Sequence, residues 1–266
     1  MTPLFACLGL RVGFHRYGRG LATHTIWPVD GLDVSVDAGE MVAVIGASGA
    51  GKTLMAHALL GILPPNAVVE GELLFRGTRL TPERLERLRG RSIALVPQSV
   101  AALDPLMRVG TLVRRSAQLA GHDSDAAESL ATAALQRHGL PPDVARLYPH
   151  QLSGGMARRV LIAAATVGGA DMVIADEPTP GLDVPVAREV LGDLRRLADE
   201  GRAVLVITHD LGLALPVVDR VVVLQEGRTV DQAPRAAFSG GGEALGHDYT
   251  RALWLALPQN GMQAHA

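Results

Sequence analysis

Apolar residues in this chain gather in short unbroken runs, set between longer stretches with helical spacing. Met41 to Ile45, Ile93 to Val96, Met172 to Ala175 and Val204 to Ile207 contain no polar residue. A strand with one solvated face alternates apolar and polar positions, so uninterrupted runs predict strands covered on both faces, the habit of parallel sheets. The segment opening at Gly51 reads as a helix that Gly61 and the Pro64-Pro65 pair terminate. Strand and helix signals alternate in this way, which predicts an α/β fold with a largely parallel sheet under helices.

From Gln98 onward the pattern shifts to helices and loops. Asp125 and Glu128 form a candidate capping box, and Gly139 stops that helix before Pro141. Gly71 to Phe75, and a late hairpin from Val221 to Val230 turning at Glu226-Gly227, read as antiparallel additions. Gly240 to Gly242 reads as a flexible joint before a short terminal segment. The expected division is a core formed by residues 1–97 and 158–235, a helical subdomain at 98–157, and an extension at 236–266.

Composition narrows the classes. With 266 residues, 48% of them hydrophobic, and a net charge of −2, the chain can bury a large core. It carries no Lys/Arg block, so a nucleic acid is not the expected partner. Its longest largely apolar stretch, Val160 to Ala170, contains Gly168 and Gly169 and is too short for a membrane span. Membrane association is therefore expected through partners. The start, MTPLFACLGLRVGF, lacks the features of a secretory signal, and the lone Cys7 can form no internal disulfide, so a cytosolic location is expected. Cys7 itself reads as a small buried hydrophobe.

The chemistry begins at Gly46, Ala47, Ser48, Gly49, Ala50, Gly51, Lys52 and Thr53, which fit the GxxxxGK[ST] phosphate loop with a strand before it and a helix after. Glycines let amide N–H groups approach phosphates, Lys52 supplies a point charge, and the Thr53 hydroxyl can ligate Mg²⁺. Asp176 ends an apolar strand at the edge where open parallel sheets bind ligands, and can hold the metal; Glu177 follows and faces elsewhere. Taken alone, these two acids could simply cap the next helix.

Leu152-Ser153-Gly154-Gly155-Met156, a helix upstream of the run MVIADE, is the most restrictive motif. Together with the phosphate loop it resembles the ATP-binding subunits of ABC transporters, and the resemblance spans nearly the whole chain. It implies a P-loop NTPase (RecA-like) core and an ATPase using ATP and Mg²⁺. It implies Glu177 as general base, Gln98 as a hinge glutamine contacting metal or water, His209 as the switch histidine, and Asp183 in a loop linking two ATP sites, although Pro180 before that loop is unusual. Catalysis would then rest on Lys52, Gln98, Glu177 and His209, and the metal on Thr53, Gln98 and Asp176. Ser153, Gly154 and Gly155 would close over ATP held by a second ATP-binding subunit. Adenine is expected to stack on an aromatic near the N-terminus, Phe14 or its rival Tyr17. A simple serine cap at Ser153 and a core role for Phe14 are the plainer alternatives.

Three stretches resemble the peptide and nickel importer branch: Leu103 to Gly110, Tyr148 to Met156, and His247 to Leu253, where Asp248 replaces the usual proline. That branch implies two transmembrane permease subunits, an extracytoplasmic solute-binding protein, and a peripheral position on the cytoplasmic face of the inner membrane. The chain stops soon after Pro258 with no cysteine there, which tilts the expected cargo toward nickel or a metal chelate, with peptides as the other option. An exporter ATPase and a non-transport ATPase of the same family are the alternatives.

Overall fold

The computed structural model describes residues 2–17, 23–257 and 260. Its strands are β1 (Phe5–Tyr17), β2 (Thr23–Val36), β3 (Met41–Gly46), β4 (Ala67–Phe75), β5 (Thr78–Arg79), β6 (Ile93–Val96), β7 (Met172–Asp176), β8 (Ala203–Ile207), β9 (Arg220–Gln225) and β10 (Arg228–Pro234). The helices are α1 (Lys52–Leu60), α2 (Pro82–Leu88), α3 (Val109–Leu119), α4 (Ser124–Arg137), α5 (Gly154–Thr166), α6 (Val184–Asp199), α7 (Leu211–Ala214) and α8 (Asp248–Leu255).

A six-stranded sheet runs in the order β10-β9-β3-β8-β7-β6, and a four-stranded antiparallel sheet in the order β2-β1-β4-β5. The unbroken apolar runs occupy the middle of the larger sheet, where every residue of β3, β7 and β8 is buried. Alternate residues feed two cores. Met41, Ala43 and Ile45 join a cluster with α3, α4, α5 and α6; Val42 and Val44 join a second cluster with α1 and the antiparallel sheet. Each such fully buried aliphatic side chain contributes roughly 1.5–3 kcal/mol, which is why β3 tolerates no polar residue on either side.

Three expectations change. The hairpin expected over Val221 to Val230 is present as β9 and β10, but its first strand also pairs in parallel with β3, so only β10 is an antiparallel addition to the sheet. The apolar residues Val221 to Leu224 of β9 are buried on both faces, the same cause as for β3. The N-cap of α4 is Asp123, not Asp125, since its carboxylate accepts from the Ala126 amide at 2.9 Å. Glu128 is thereby free to pair with Arg114 of α3 at 3.3 Å. Gly240 to Gly242 form a packed corner, not a loose joint: the Trp254 indole donates to Gly240 O at 3.1 Å, and Arg251 donates to Gly242 O at 3.3 Å.

The boundary expected at 157/158 falls inside α5, a continuous helix whose buried residues join the same cluster as α3 and α4. A second tie across that region was not legible in sequence. His138, at the end of α4, contacts Asp193 of α6 through Nδ1 at 3.0 Å, with both side chains buried, and Asp193 also takes Arg196. Cys7 is buried as expected, and burial pushes its thiol up to about 12.

Two glycines provide opposite tests. A Cβ on Gly46 would sit 2.3 Å from the Leu224 carbonyl oxygen of β9, whereas one on Gly192 in α6 would meet nothing. Gly46→Ala is expected to lower unfolding free energy by about 1–3 kcal/mol, the range for overpacking. Gly192→Ala should raise it by roughly 0.5–1 kcal/mol through helix propensity. Urea unfolding midpoints measured on the two variants check both signs.

Candidate functional site

β3 delivers its last residue, Gly46, directly into the loop that opens α1. Here the packing explains the sequence: with Leu224 O so close, residue 46 can carry no side chain. Gly51 caps α1 in the left-handed region at φ 93°, and its cap uses no side chain. The first turn of α1 also holds no acid. Its leading amide N–H groups are thus left to a ligand, and the helix dipole favours an anion there. Lys52 folds back over the loop, donating from Nζ to Gly46 O at 2.7 Å and to Ala47 O at 3.0 Å. Burial pulls its pKa down, while Glu177 and Asp176 oppose that shift.

The acids reach this loop through sheet register. β7 and β8 pair in parallel with Asp176 opposite Ile207, and the Glu177 amide donates to Ile207 O at 2.8 Å. The residues just beyond the two strand ends are therefore neighbours: the Glu177 carboxylate contacts Nδ1 of His209 at 2.9 and 3.0 Å. Thr208 anchors the turn that carries His209, its amide donating to Val44 O at 3.1 Å and its hydroxyl accepting from the Asp210 amide at 3.0 Å. Glu177 adopts φ 47°, a left-handed conformation that costs a non-glycine residue about 1–3 kcal/mol. Such strain places this carboxylate where an extended strand would not.

Asp176 is buried, and its Oδ1 has no hydrogen-bond partner. Burial raises its carboxyl pKa, a hydrogen bond with Thr53 works against that rise, and the neighbouring Glu177 charge adds to it. An orphaned carboxylate oxygen beside a hydroxyl fits a divalent cation. Among the described residues no group of three His, Cys, Asp or Glu could hold a metal by itself. The donor set of Asp176, Thr53 and Gln98 suits an ion that brings phosphate oxygens with it.

Gln98 follows β6 and is exposed, lining one cavity with Ser48, Lys52, Thr53 and Glu177. The loop at Ser48 to Thr53, Gln98 and Glu177 thus surround a single space, with Asp176 buried behind it. Ser153 and Gly154 do not line it. They open on another cavity, with Val100, Leu103, Pro105 and Leu152. Ser153 caps α5, accepting from the Met156 amide at 3.2 Å, so the plain capping role is present. It does not account for Gly155, where a Cβ would lie 2.8 Å from Val186 Cγ1 of α6. Asp183 likewise caps α6, accepting from Val186 N at 2.9 Å.

Phe14 is partly buried and packs against the second core cluster, as does Leu54 of the cavity wall, but Phe14 itself does not line that cavity. Tyr17 ends β1, and its side chain lies outside the described residues. One positioning contact escaped the sequence reading: buried Arg158 of α5 donates to Pro97 O at 3.1 Å, immediately before Gln98. Arginine one turn into an amphipathic helix carries no sequence signal that it turns inward.

Comparisons with known proteins find similar chains. The family model described as ABC transporter matches residues 29–180. The probable peptide ABC transporter ATP-binding protein y4tR of Sinorhizobium fredii is 35% identical over 254 residues, covering 92% of this chain and 74% of the relative. The dipeptide transport ATP-binding protein DppD of Bacillus subtilis is 33% identical over 97% of this chain and 78% of its own length. The oligopeptide transport ATP-binding protein OppD of Mycobacterium bovis is 36% identical over 88% of this chain, which spans 39% of that protein. Among solved structures, the dimeric ATP-binding cassette MJ0796 in a post-hydrolysis state bound to ADP and Pi superposes with a TM-score of 0.75 at 25% identity, covering 87% of this chain and 98% of that one.

The Asp176 carboxyl sets the sign of a pH effect. A group whose folded pKa is raised favours the folded state below its unfolded pKa, and that benefit is lost as pH rises through the folded pKa. Ionised Asp176 therefore destabilises the nucleotide-free protein at neutral pH. Asp176→Asn is expected to melt higher than wild type at pH 7, with the gap closing toward about pH 4, the ordinary carboxylate range. Calorimetric melts of both proteins across that range decide it; a wild type as stable as the variant at pH 7 contradicts the assignment.

Proposed function

The chain belongs to the ABC transporter family, as an ATP-hydrolysing subunit, and from that premise we propose that it energises peptide import. The cargo reading rests on the names of the relatives above, all peptide transport ATP-binding proteins; nickel has no counterpart among them. The proposed partners are a second ATP-binding subunit, two transmembrane permease subunits and an extracytoplasmic solute-binding protein. No nucleic acid takes part. Among the described residues no helix is long and apolar enough to cross a membrane, which fits a peripheral position on the cytoplasmic face of the inner membrane.

The observation that carries the mechanism is the separation of the two cavities. Lys52, Thr53 and Glu177 surround a phosphate site that lacks the Ser153 loop, and Ser153 opens on a space that lacks Lys52. Each half is incomplete within one chain. Two subunits facing each other would set the signature of one against the phosphates of the other, as two composite sites. The cassette noted above is itself dimeric with ADP and Pi bound, which supports the reading.

Within one site the roles divide by position. The amides of Gly46 to Thr53 and the Lys52 ammonium bind and orient the phosphates. Thr53, Gln98 and Asp176 would hold Mg²⁺, whose charge would offset that of the phosphate oxygens. Glu177 aligns a water and accepts its proton as the water oxygen bonds to the γ-phosphorus and the bond to the β–γ bridging oxygen breaks, releasing ADP and phosphate. His209, already hydrogen-bonded to both Glu177 oxygens, keeps that carboxylate aimed and senses the terminal phosphate. Asp183 links the sites across the dimer, and adenine stacks on Phe14 or Tyr17. Residues 98–157, the proposed helical subdomain, receive the permease subunits. ATP drives closure because it binds the closed pair better than the open one.

Three measurements test the reading. Glu177→Gln should retain MgATP binding while turnover falls by about 10²–10⁴, the usual worth of a general base; undiminished steady-state hydrolysis refutes the base. Ser153→Arg should impair hydrolysis at the partner's phosphate loop and leave ATP binding by the chain's own loop intact. For the cargo, calorimetry on the solute-binding protein encoded beside this gene should show binding of short peptides; uptake of nickel chelates alone would overturn the peptide assignment.

A further inference from the structure

Arg158 has no role in the scheme above, and its surroundings are costly. The side chain is 6% exposed, and burial alone lowers its pKa, with no charged group countering that shift. Among the described residues no carboxylate pairs with it, whereas its neighbour Arg159 is paired with Glu189 of α6. An uncharged side chain of similar length would fill the space without burying an unpaired charge. Packing alone does not explain the guanidinium.

What the guanidinium does touch is specific. Nη1 donates to Pro97 O at 3.1 Å, a charge-assisted bond to the residue that launches Gln98 into the phosphate cavity. About one turn back along the same helix lies its Ser153 cap. α5 is also fixed against α6 by the close fit of Gly155 on Val186 and by the Arg159–Glu189 pair. The segment that carries Gln98 and the loop offered to the partner's nucleotide are therefore both fastened to the start of α5, the former through one side chain.

We infer that Arg158 is a positioning residue that ties Gln98 at one ATP site to Ser153 at the other. Occupancy of the chain's own phosphate loop then sets the posture of the signature presented to the second subunit. This rests on the reading that Ser153 serves the partner's ATP, because only then does the tie join two different sites. The bond to Pro97 O is the coupling element: a neutral, non-donating side chain cannot replace it, and lysine retains one charged donor.

The test uses hydrogen exchange by mass spectrometry on the full chain in the Ser153→Arg background, where two copies cannot close and any response of the signature must travel within one chain. Adding MgATP should protect residues 46–53 in every variant, which also establishes that each is folded. It should change exchange at residues 152–157 by about tenfold in S153R, the scale of one hydrogen bond to a charged group. That response should vanish in S153R/R158M and return in S153R/R158K. An equal signature response with and without Arg158, or no return with lysine, overturns the tie. With Ser153 intact, R158M should lower kcat about tenfold with KM for ATP little changed; an unchanged kcat also overturns it. If S153R alone leaves turnover intact, the two-subunit reading fails, while the exchange comparison still reports on the tie.

Discussion

The parallel pairing of Met172–Asp176 with Ala203–Ile207 is the constraint on which the site depends. Asp176 stands opposite Ile207, so whatever follows the two strands must meet. Glu177 and His209 are far apart in sequence, yet their contact is fixed by that register and by the Glu177 amide bond to Ile207 O. Sliding one strand by a single residue would turn every buried side chain toward the opposite core. Both faces of β7 and β8 are filled with apolar side chains, so hydrophobic burial forbids the slip. The chemistry at the strand ends is held in place by packing well away from it.

The same packing creates the charges that make the site responsive. Lys52 and Asp176 are both buried, and burial shifts each toward its neutral form. Asp176 Oδ1 lacks any partner in the protein, and the open start of α1 leaves amide donors without acceptors. These are unfavourable arrangements for the protein alone and favourable ones for an anion accompanied by a dication. Ligand binding here satisfies groups that the fold has already desolvated, so little reorganisation is needed when nucleotide arrives.

Much of this was legible in the sequence because the signals were local. A continuous apolar run such as Met41 to Ile45 can satisfy itself only inside a sheet, and the phosphate loop is a contiguous segment whose glycines have steric reasons visible in the fold, as Gly46 does against Leu224 O. What escaped depends on contacts between distant segments. Val221 to Leu224 is legible as half of a hairpin because the Glu226-Gly227 turn is local, whereas its parallel pairing with β3 is not. Asp123 and Asp125 compete for one helix cap, and only the geometry selects Asp123. His138–Asp193 and Arg158–Pro97 join residues tens of positions apart. Such buried polar pairs leave no periodicity in the chain.

These long-range contacts share a feature. His138–Asp193, Arg137–Glu200 and Arg159–Glu189 all reach α6 or its end from the helices that precede β7. Salt bridges on the surface contribute little to stability, so the exposed two are weak evidence of strength, but together with the buried pair they tie α6 to the helices before β7. α4, α5 and α6 are linked to each other, while α5 alone reaches the β6 end through Arg158. α6 begins at Asp183, a few residues past Glu177, so its position is set by the strand that carries the acids. A change felt at Glu177 can reach the signature through α6, and a change felt at Gln98 can reach it through Arg158. The two routes converge on adjacent residues of α5, Arg158 and Arg159, so both act on the opening turns of the helix that Ser153 caps.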